Sequence, residues 1–149
     1  MIGLLQRVTQ ARVDVEEQTI GQIKQGLLIL LGIEKGDSKA QADRLLQRLL
    51  TYRVFDDSQG KMNLSLQQIQ GELLIVPQFT LPADTNKGTR PSFAPSAPPQ
   101  EAECLYDYFV AQAHQQHPVV ATGQFAANMQ LSLTNDGPVT FWLRTSQSS

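Results

Sequence analysis

The apolar run at residues 27–33 constrains the fold of this chain more than any other segment. It is bounded by Gly26 and Gly36, and it is far shorter than the roughly 20 apolar residues that a membrane-spanning helix needs. A strand that is apolar almost throughout has no face suited to solvent. The run therefore predicts a central strand that is covered on both faces.

Strand and helix patterns alternate along the rest of the chain. Asp37 or Ser38 can cap a first helix, and Pro98–Pro99 can begin a second. Their predicted apolar stripes are Ala42, Leu45, Leu46, Leu49 and Leu50, and Ala102, Leu105, Tyr106, Phe109, Val110 and Ala113. Strands are expected in a hairpin at 13–23, at 72–76, at 119–121 and on both sides of 137–138. The sequence predicts a single α+β domain over residues 1–149, with a frayed tail at 146–149.

Charge and cysteine content narrow the classes of partner. The net charge of −2 argues against broad electrostatic binding to nucleic acid, so any such contact has to be local, and we expect no DNA binding. The single cysteine, Cys104, permits no internal disulfide, and the N-terminal residues lack the pattern of a signal peptide. We therefore expect a cytoplasmic protein without membrane contact.

Residue types that usually carry hydrolytic or metal chemistry are scarce. His114 and His117 are the only histidines, and no third ligand accompanies them in a zinc-binding pattern. Both are interpreted as polar surface residues at a helix end, and Cys104 as a small packed residue. The sequence thus predicts no metal and no cofactor, and it offers no conventional catalytic triad.

Two adjacent segments carry polar residues where a buried strand should end. Gln78, Phe79 and Thr80 follow an apolar strand, and the next loop holds Lys87 and Arg90 close to Phe93. Two cations beside an aromatic ring suit a phosphate and a stacked base. The alternative is an ordinary polar strand end followed by a surface loop.

The pair Gly137–Pro138 lies between two alternating runs, 129–133 and 139–143. Asn-Asp-Gly-Pro is typical of a surface turn, so a hairpin is one interpretation. A rigid corner that projects from two strands and probes a ligand is the other.

These segments together resemble the bacterial D-aminoacyl-tRNA deacylases. The resemblance rests on Gln78-Phe79-Thr80-Leu81, on 87–93, on 135–140, on the opening Gln6-Arg7-Val8, and on Thr122-Gly123-Gln124-Phe125 with Met129, all in the same order. It covers residues 1 to about 143. It implies a mostly antiparallel, barrel-like sheet with two main helices, in a homodimer whose sites lie at the subunit interface.

The resemblance also implies a function and a set of site residues. It implies hydrolysis of the ester between a D-amino acid and the 3′ end of tRNA, and of glycine mischarged on alanine tRNA. Catalysis would lie at Gln78, Phe79 and Thr80. A cis Gly137–Pro138 pair, supported by Arg7, would enter the partner's site and reject L-amino acids. Residues expected to contact the substrate or the tRNA are Lys87, Arg90, Phe125 and Met129.

The mechanism leaves two possibilities for Thr80. Its hydroxyl could be a nucleophile, but no base accompanies it in the motif. We prefer an oxyanion hole made by the Phe79 and Thr80 N–H groups, with the substrate's ribose 2′-hydroxyl activating water. The functional alternatives are a non-catalytic binder of the tRNA 3′ end, and a protein that holds a small carboxylate ligand through Arg90.

Two positions depart from the pattern of the family. Pro77 stands where serine is usual, and Ala126 where glycine is usual. We expect the first to remove a hydroxyl and a backbone donor at the mouth of the site. We expect Ala126 to make the pocket slightly narrower at that wall.

Overall fold

The computed structural model describes residues 1–146, as a six-stranded sheet, a small hairpin and three helices. The elements are β1 Ile2–Val15, β2 Gln18–Ile23, β3 Gly26–Gly32, α1 Lys39–Thr51, β4 Phe55–Asp56, β5 Met62–Leu64, α2 Leu66–Ile69, β6 Glu72–Pro77, α3 Pro99–Gln116, β7 Val120–Thr122 and β8 Gln130–Arg144. The α+β class is confirmed. Of the tail predicted at 146–149, residues 147–149 lie outside the described residues.

Strand β1 organises the sheet because both of its edges are paired. One edge pairs with β8, and the other pairs with β3 over residues 2–8 and with β2 over residues 11–15, all antiparallel. Beyond β3, the strands β6 and β7 are parallel. A Cβ placed on Gly21 of β2 would lie 2.6 Å from the Thr122 carbonyl oxygen of β7, so these two strands lie against each other. The sheet is thus nearly closed, and the predicted barrel-like arrangement is confirmed.

Strand β3 is covered on both faces, as its apolar run predicts. Leu27, Ile29 and Leu31 pack into one core beneath α1 and α3, whereas Leu28 packs into a second core on the opposite face. The second core is formed by Val8, Ala11, Val13, Ile23, Leu28, Leu74 and Val76. The α1 stripe is buried as predicted, and in α3 four of the six predicted positions are fully buried.

The segment around Gly137–Pro138 is not a hairpin turn, so that interpretation is wrong. One continuous strand, β8, runs through it. Gln6 pairs with Thr140 and Val8 with Asn135, so Arg7 alone lies opposite four residues, 136–139. The additional residues form a wide bulge that carries Gly137 and Pro138 to the surface.

Three further details differ from the expectations. His117 is buried, with its Nε2 2.6 Å from the Gly71 carbonyl oxygen, and it therefore joins α3 to the start of β6 rather than facing solvent. Cys104 is exposed rather than packed. The short helix α2 was not predicted. Ser65 caps its N-terminus: the Ser65 N–H donates to Gln68 Oε1, and Ser65 Oγ accepts from the Gln68 N–H.

No helix among the described residues is long and apolar enough to cross a membrane.

Candidate active site

The Gln78–Thr80 segment begins where the pairing of β6 with β3 ends. The Gln78 N–H makes the last bond of the ladder, to the Leu31 carbonyl oxygen at 2.8 Å, and the chain then folds into two successive turns. Neither the Phe79 N–H nor the Thr80 N–H forms a hydrogen bond with any residue from 1 to 146. Both residues are exposed. Two adjacent backbone donors are therefore available to an external oxygen atom.

Phe79 is held in place although the residue is 65% exposed. The Ser96 hydroxyl donates to the Phe79 carbonyl oxygen at 2.9 Å, and the Phe93 ring lies 5.4 Å from the Phe79 ring, centroid to centroid. The first contact holds the peptide group that carries the Thr80 N–H, and the second holds the Phe79 side chain. Ser96 was not among the predicted site residues, because only the folded chain brings it next to Phe79.

The Thr80 hydroxyl has an amide neighbour rather than a base. Gln78 Nε2 donates to Thr80 Oγ1 at 2.8 Å. His117 is engaged with Gly71, and no cluster of metal-ligating side chains occurs in the described part of the chain. An oxygen that accepts a hydrogen bond and lacks a proton acceptor is a poor nucleophile. The geometry favours the backbone donors over the hydroxyl.

Lys87 and Arg90 lie in a loop that leaves this segment and returns to it. Asp84 and Ser92 close the loop with two backbone hydrogen bonds of 2.8 and 2.9 Å. Lys87 and Arg90 are both exposed, and within residues 1–146 neither forms an ion pair. The loop thus presents two cations without ion-pair partners among the described residues, seven and ten residues after Thr80.

Residues 123–129 form the other wall of the candidate site. The Gly123 N–H donates to the Ile75 carbonyl oxygen at 2.9 Å, and a Cβ on Gly123 would lie 2.8 Å from Met129 Sδ and 3.4 Å from Pro77 Cδ. Met129 therefore lies beside the end of β6.

Tyr106 of α3 ties this wall to β6, a role that the sequence did not predict. Its hydroxyl lies 3.1 Å from the Ile75 carbonyl oxygen and 3.4 Å from that of Gly123, and its ring centroid is 6.1 Å from that of Phe125. Burial raises the pKa of the Tyr106 hydroxyl, so the group remains a donor. The periodic apolar stripe predicted that Tyr106 is buried, but it did not predict the two carbonyl oxygens that lie near its hydroxyl.

Ala126 adopts a conformation that suits glycine. A hydrogen bond from the Ala127 N–H to the Gln124 carbonyl oxygen closes a turn, and Ala126 has φ of +66° at its third position. The departure from the family pattern at this position is thus a matter of backbone conformation as well as of side-chain volume.

Replacement of Ala126 by glycine is expected to stabilise the protein by roughly 0.5–1 kcal/mol. Relief of the left-handed conformation is worth about 1–2 kcal/mol, and the greater freedom of glycine in the unfolded chain offsets about 0.5–1 kcal/mol of it. Urea unfolding at one protein concentration measures the change. The control is Ala127→Gly, which offers no such relief and should destabilise. Equal effects of the two changes would contradict the interpretation.

The exposed bulge of β8 is anchored from beneath by Arg7, which is only 8% exposed. Arg7 Nε donates to the Asp136 carbonyl oxygen at 2.9 Å and Nη1 to the Val54 carbonyl oxygen at 2.8 Å. The Gly137–Pro138 peptide bond is cis, and Gly137 has φ of +143°. Arg7 thus lies directly under the bulge and bonds to the carbonyl oxygen at its start.

The bulge and the Gln78–Thr80 segment are far apart within one chain. Arg7 pairs with Leu27, which pairs with Leu73, five residues before Gln78. Three strand spacings and five residues correspond to about 14 Å across the sheet and about 16 Å along it. The structure therefore brings Gln78, Phe79, Thr80 and Met129 together, with Phe125 on the same wall and Lys87 and Arg90 on the adjoining loop, but it places Gly137 and Pro138 elsewhere.

The family profile and the similar proteins indicate the same family. The sequence profile described as D-Tyr-tRNA(Tyr) deacylase matches residues 4–144. A protein of Actinobacillus pleuropneumoniae serotype 5b (strain L20), named D-aminoacyl-tRNA deacylase, is 64% identical over 145 residues, which cover 97% of this chain and 99% of that protein. A protein of the same name from Ralstonia nicotianae (strain ATCC BAA-1114 / GMI1000) is 60% identical, covering 97% and 90%.

Solved structures show the same fold. The c-Myc DNA Unwinding Element Binding Protein superposes with a TM-score of 0.94 at 36% identity, covering 99% of this chain and 100% of that one. A probable eukaryotic D-amino acid tRNA deacylase superposes with a TM-score of 0.78, covering 97% and 98%, but at 18% identity this likeness concerns the fold alone.

Proposed function

The chain belongs to the D-Tyr-tRNA(Tyr) deacylase family, and we propose that it is a D-aminoacyl-tRNA deacylase that spares L-aminoacyl-tRNA. The observation that carries this proposal is the pair of N–H groups without a hydrogen-bond partner within residues 1–146, on the exposed residues Phe79 and Thr80, in a segment without a protein base. Such a site can stabilise a developing oxyanion but cannot by itself deprotonate a nucleophile.

The reaction is an ester hydrolysis in which the substrate supplies the missing group. Water attacks the ester carbonyl carbon, and the carbonyl oxygen becomes an oxyanion between the Phe79 and Thr80 N–H groups. The ribose 2′-hydroxyl orients the water and relays its proton. The bond to the 3′ oxygen then breaks, and that oxygen takes up the proton. The products are the free amino acid and the tRNA, and no metal or cofactor takes part.

The neighbouring cations and aromatic rings suit the end of a tRNA. Lys87 and Arg90 can contact the backbone phosphates, and Phe93 beside them can stack on a base. On the opposite wall, Phe125 and Met129 flank the amino acid. This contact involves only one short loop of the protein. It is therefore compatible with a net charge of −2, which argues only against broad electrostatic binding to nucleic acid. We place the enzyme in the cytoplasm, where charged tRNA is its substrate, and expect neither DNA nor membrane binding.

Chiral selection is assigned to the backbone of Gly137 and Pro138. Main-chain oxygens that occupy the position of an L side chain exclude every L-amino acid, whatever its side chain. Glycine has no side chain to exclude, so glycyl-tRNA, including glycine mischarged on alanine tRNA, is also a substrate. The bulge cannot reach the Gln78–Thr80 segment of its own chain, about 14 Å across and 16 Å along the sheet. We therefore propose a homodimer in which each bulge enters the partner's site.

Deacylation of matched D- and L-aminoacyl-tRNA by the purified protein tests the activity. We expect fast release of the D-amino acid and of glycine, and release of the L-amino acid at the rate without protein. A protein that binds the tRNA 3′ end without catalysis would leave all three esters intact. Binding of free amino acids with the affinity of charged tRNA would instead indicate a small-carboxylate site at Arg90.

Mixing two variant subunits is expected to restore selectivity if the sites are shared. Phe79→Pro removes an oxyanion donor but keeps a normal bulge, whereas Gly137→Ala keeps the donors but alters the bulge. Refolding Gly137→Ala with an excess of Phe79→Pro joins normal donors to a normal bulge across the interface. We expect the D:L ratio of the mixture to rise towards that of the unaltered protein. A ratio equal to that of Gly137→Ala alone would place both elements in one chain, and a monomer with full activity would do the same.

A further inference from the structure

The side chain of Asn135 closes the bulge of β8 at its base. Its Oδ1 accepts from the Val139 N–H at 2.7 Å, and its Nδ2 lies 3.3 Å from the Val139 carbonyl oxygen and 3.0 Å from Thr140 Oγ1. Asn135 and Val139 are the residues on either side of the three that protrude, 136–138. The amide thus bonds to both backbone groups of Val139, as a neighbouring strand would.

These bonds replace pairing that β1 cannot supply. Arg7 is the only β1 residue opposite 136–139, and its backbone partner on the other edge is Leu27. Val139 is 7% exposed, so its N–H would otherwise be buried without an acceptor. Arg7 holds the Asp136 carbonyl oxygen on the other side of the protruding residues. Arg7 and Asn135 therefore clamp the two ends of the same short loop.

We propose that Asn135 is a positioning residue that fixes where Gly137 and Pro138 stand, and so controls the discrimination between D and L substrates. It touches neither substrate nor reacting atoms. The proposal deepens the function assigned to the bulge and, for its effect on selectivity, rests on that function. Its geometric part, that Asn135 holds the loop, stands without it.

Only a side-chain amide of this length satisfies the site. Aspartate keeps an acceptor for the Val139 N–H, but it loses the donor to Thr140 and sets a carboxylate oxygen against the Val139 carbonyl oxygen. The charge of Asp136, whose carboxylate lies 3.7 Å from Arg7 Nε, would add to this repulsion. Alanine removes all three bonds. Comparison of Asn135→Asp with Asn135→Ala therefore separates the effect of losing the donor bonds from that of losing the acceptor bond as well.

Hydrogen exchange at the Val139 amide tests the clamp without reference to activity. In the unaltered protein we expect a protected amide. In Asn135→Ala its exchange should be about tenfold faster or more, with no comparable change at the β8 amides beyond the bulge. Thr140→Val, which removes one bond and leaves the Val139 N–H paired, is the matched control and should retain protection. Fast exchange at Val139 in the unaltered protein would overturn the proposal.

The D:L ratio of deacylation tests the consequence. We expect it to fall about tenfold or more in Asn135→Ala and less in Asn135→Asp, while Leu49→Ala, which opens a cavity beneath α1, lowers stability and leaves the ratio unchanged. Should Asn135→Ala not fold, the smaller fall expected in Asn135→Asp tests the loss of the donor bonds alone. Lost protection with an unchanged ratio would refute the role in selectivity. If the unaltered protein hydrolyses no D-aminoacyl-tRNA, the proposed function fails, and the exchange at Val139 still decides whether Asn135 holds the loop.

Discussion

D-Aminoacyl-tRNA that ends in 2′-deoxyadenosine is expected to be hydrolysed at least about 100-fold more slowly than the normal ester, whereas Thr80→Ala should cost less than about tenfold. General acid–base groups contribute about 10²–10⁴-fold, and in the proposed mechanism the 2′-hydroxyl is the only such group. Thr80→Ala deletes an oxygen that accepts from Gln78 Nε2 but keeps the backbone N–H. Single-turnover rates with each ester, at saturating protein, measure both effects.

The comparison needs two controls. The rate of each ester without protein corrects for their different intrinsic reactivity, and a binding measurement with the deoxy substrate separates weak binding from slow chemistry. Phe79→Pro, which removes an oxyanion donor, should lose about 10²–10³-fold and so exceed the effect at Thr80. A loss at Thr80→Ala of several orders of magnitude, upwards of about 4 kcal/mol, or a trapped acyl ester on Thr80, would establish a threonine nucleophile instead.

Local sequence patterns were sufficient for most of the fold. The apolar run at 27–33 and the stripes of α1 and α3 depend on spacing along one element; the first two are buried as the spacing predicts, and so are four of the six α3 positions. Two of the errors concern contacts between distant parts of the chain. Asn-Asp-Gly-Pro is typical of a turn, and nothing nearby shows that Arg7, 129 residues away, holds the Asp136 carbonyl oxygen and lets one strand continue through it.

His117 illustrates the same limit. At the end of a helix a histidine is usually solvated, and only the Gly71 carbonyl oxygen, 46 residues away in sequence, accounts for its burial.

The candidate site likewise contains residues that the local sequence indicates and residues that only the folded structure shows. Gln78, Phe79 and Thr80 are adjacent in sequence, so a polar strand end was enough to draw attention to them. Ser96 and Tyr106 bond to backbone carbonyl oxygens of other segments. Every residue has such an oxygen, so the sequence does not show which one a side chain will contact. The resemblance drew attention to 135–140 as a motif but assigned no role to Asn135, whose hydrogen bonds are visible only once the bulge has its shape.

Gly137→Ala is expected to lower the D:L ratio of deacylation about tenfold or more. Gly137 has φ of +143°, which a residue with a side chain rarely adopts, and an added Cβ would lie 2.6 Å from Val139 Cγ2 and 2.9 Å from Val139 N. Val139 cannot move away freely, because Val139 is buried and its N–H is held by Asn135 at 2.7 Å. The bulge itself must therefore shift, and a displacement worth about 1.4 kcal/mol in the relevant transition state is tenfold in rate.

Gly60→Ala is the matched control for that change. Gly60 also has a positive φ, of +78°, but it lies in the turn before β5 and nothing lies within 4 Å of an added Cβ. It should lose stability from backbone strain alone and keep the D:L ratio. Two outcomes at Gly137 agree with a filter: D-deacylation falls, or L-aminoacyl-tRNA becomes a substrate. If Gly137→Ala hydrolyses the D ester at the unaltered rate and still spares the L ester, the backbone at 137–138 does not select the substrate, and the free donors of Phe79 and Thr80 have to discriminate by themselves.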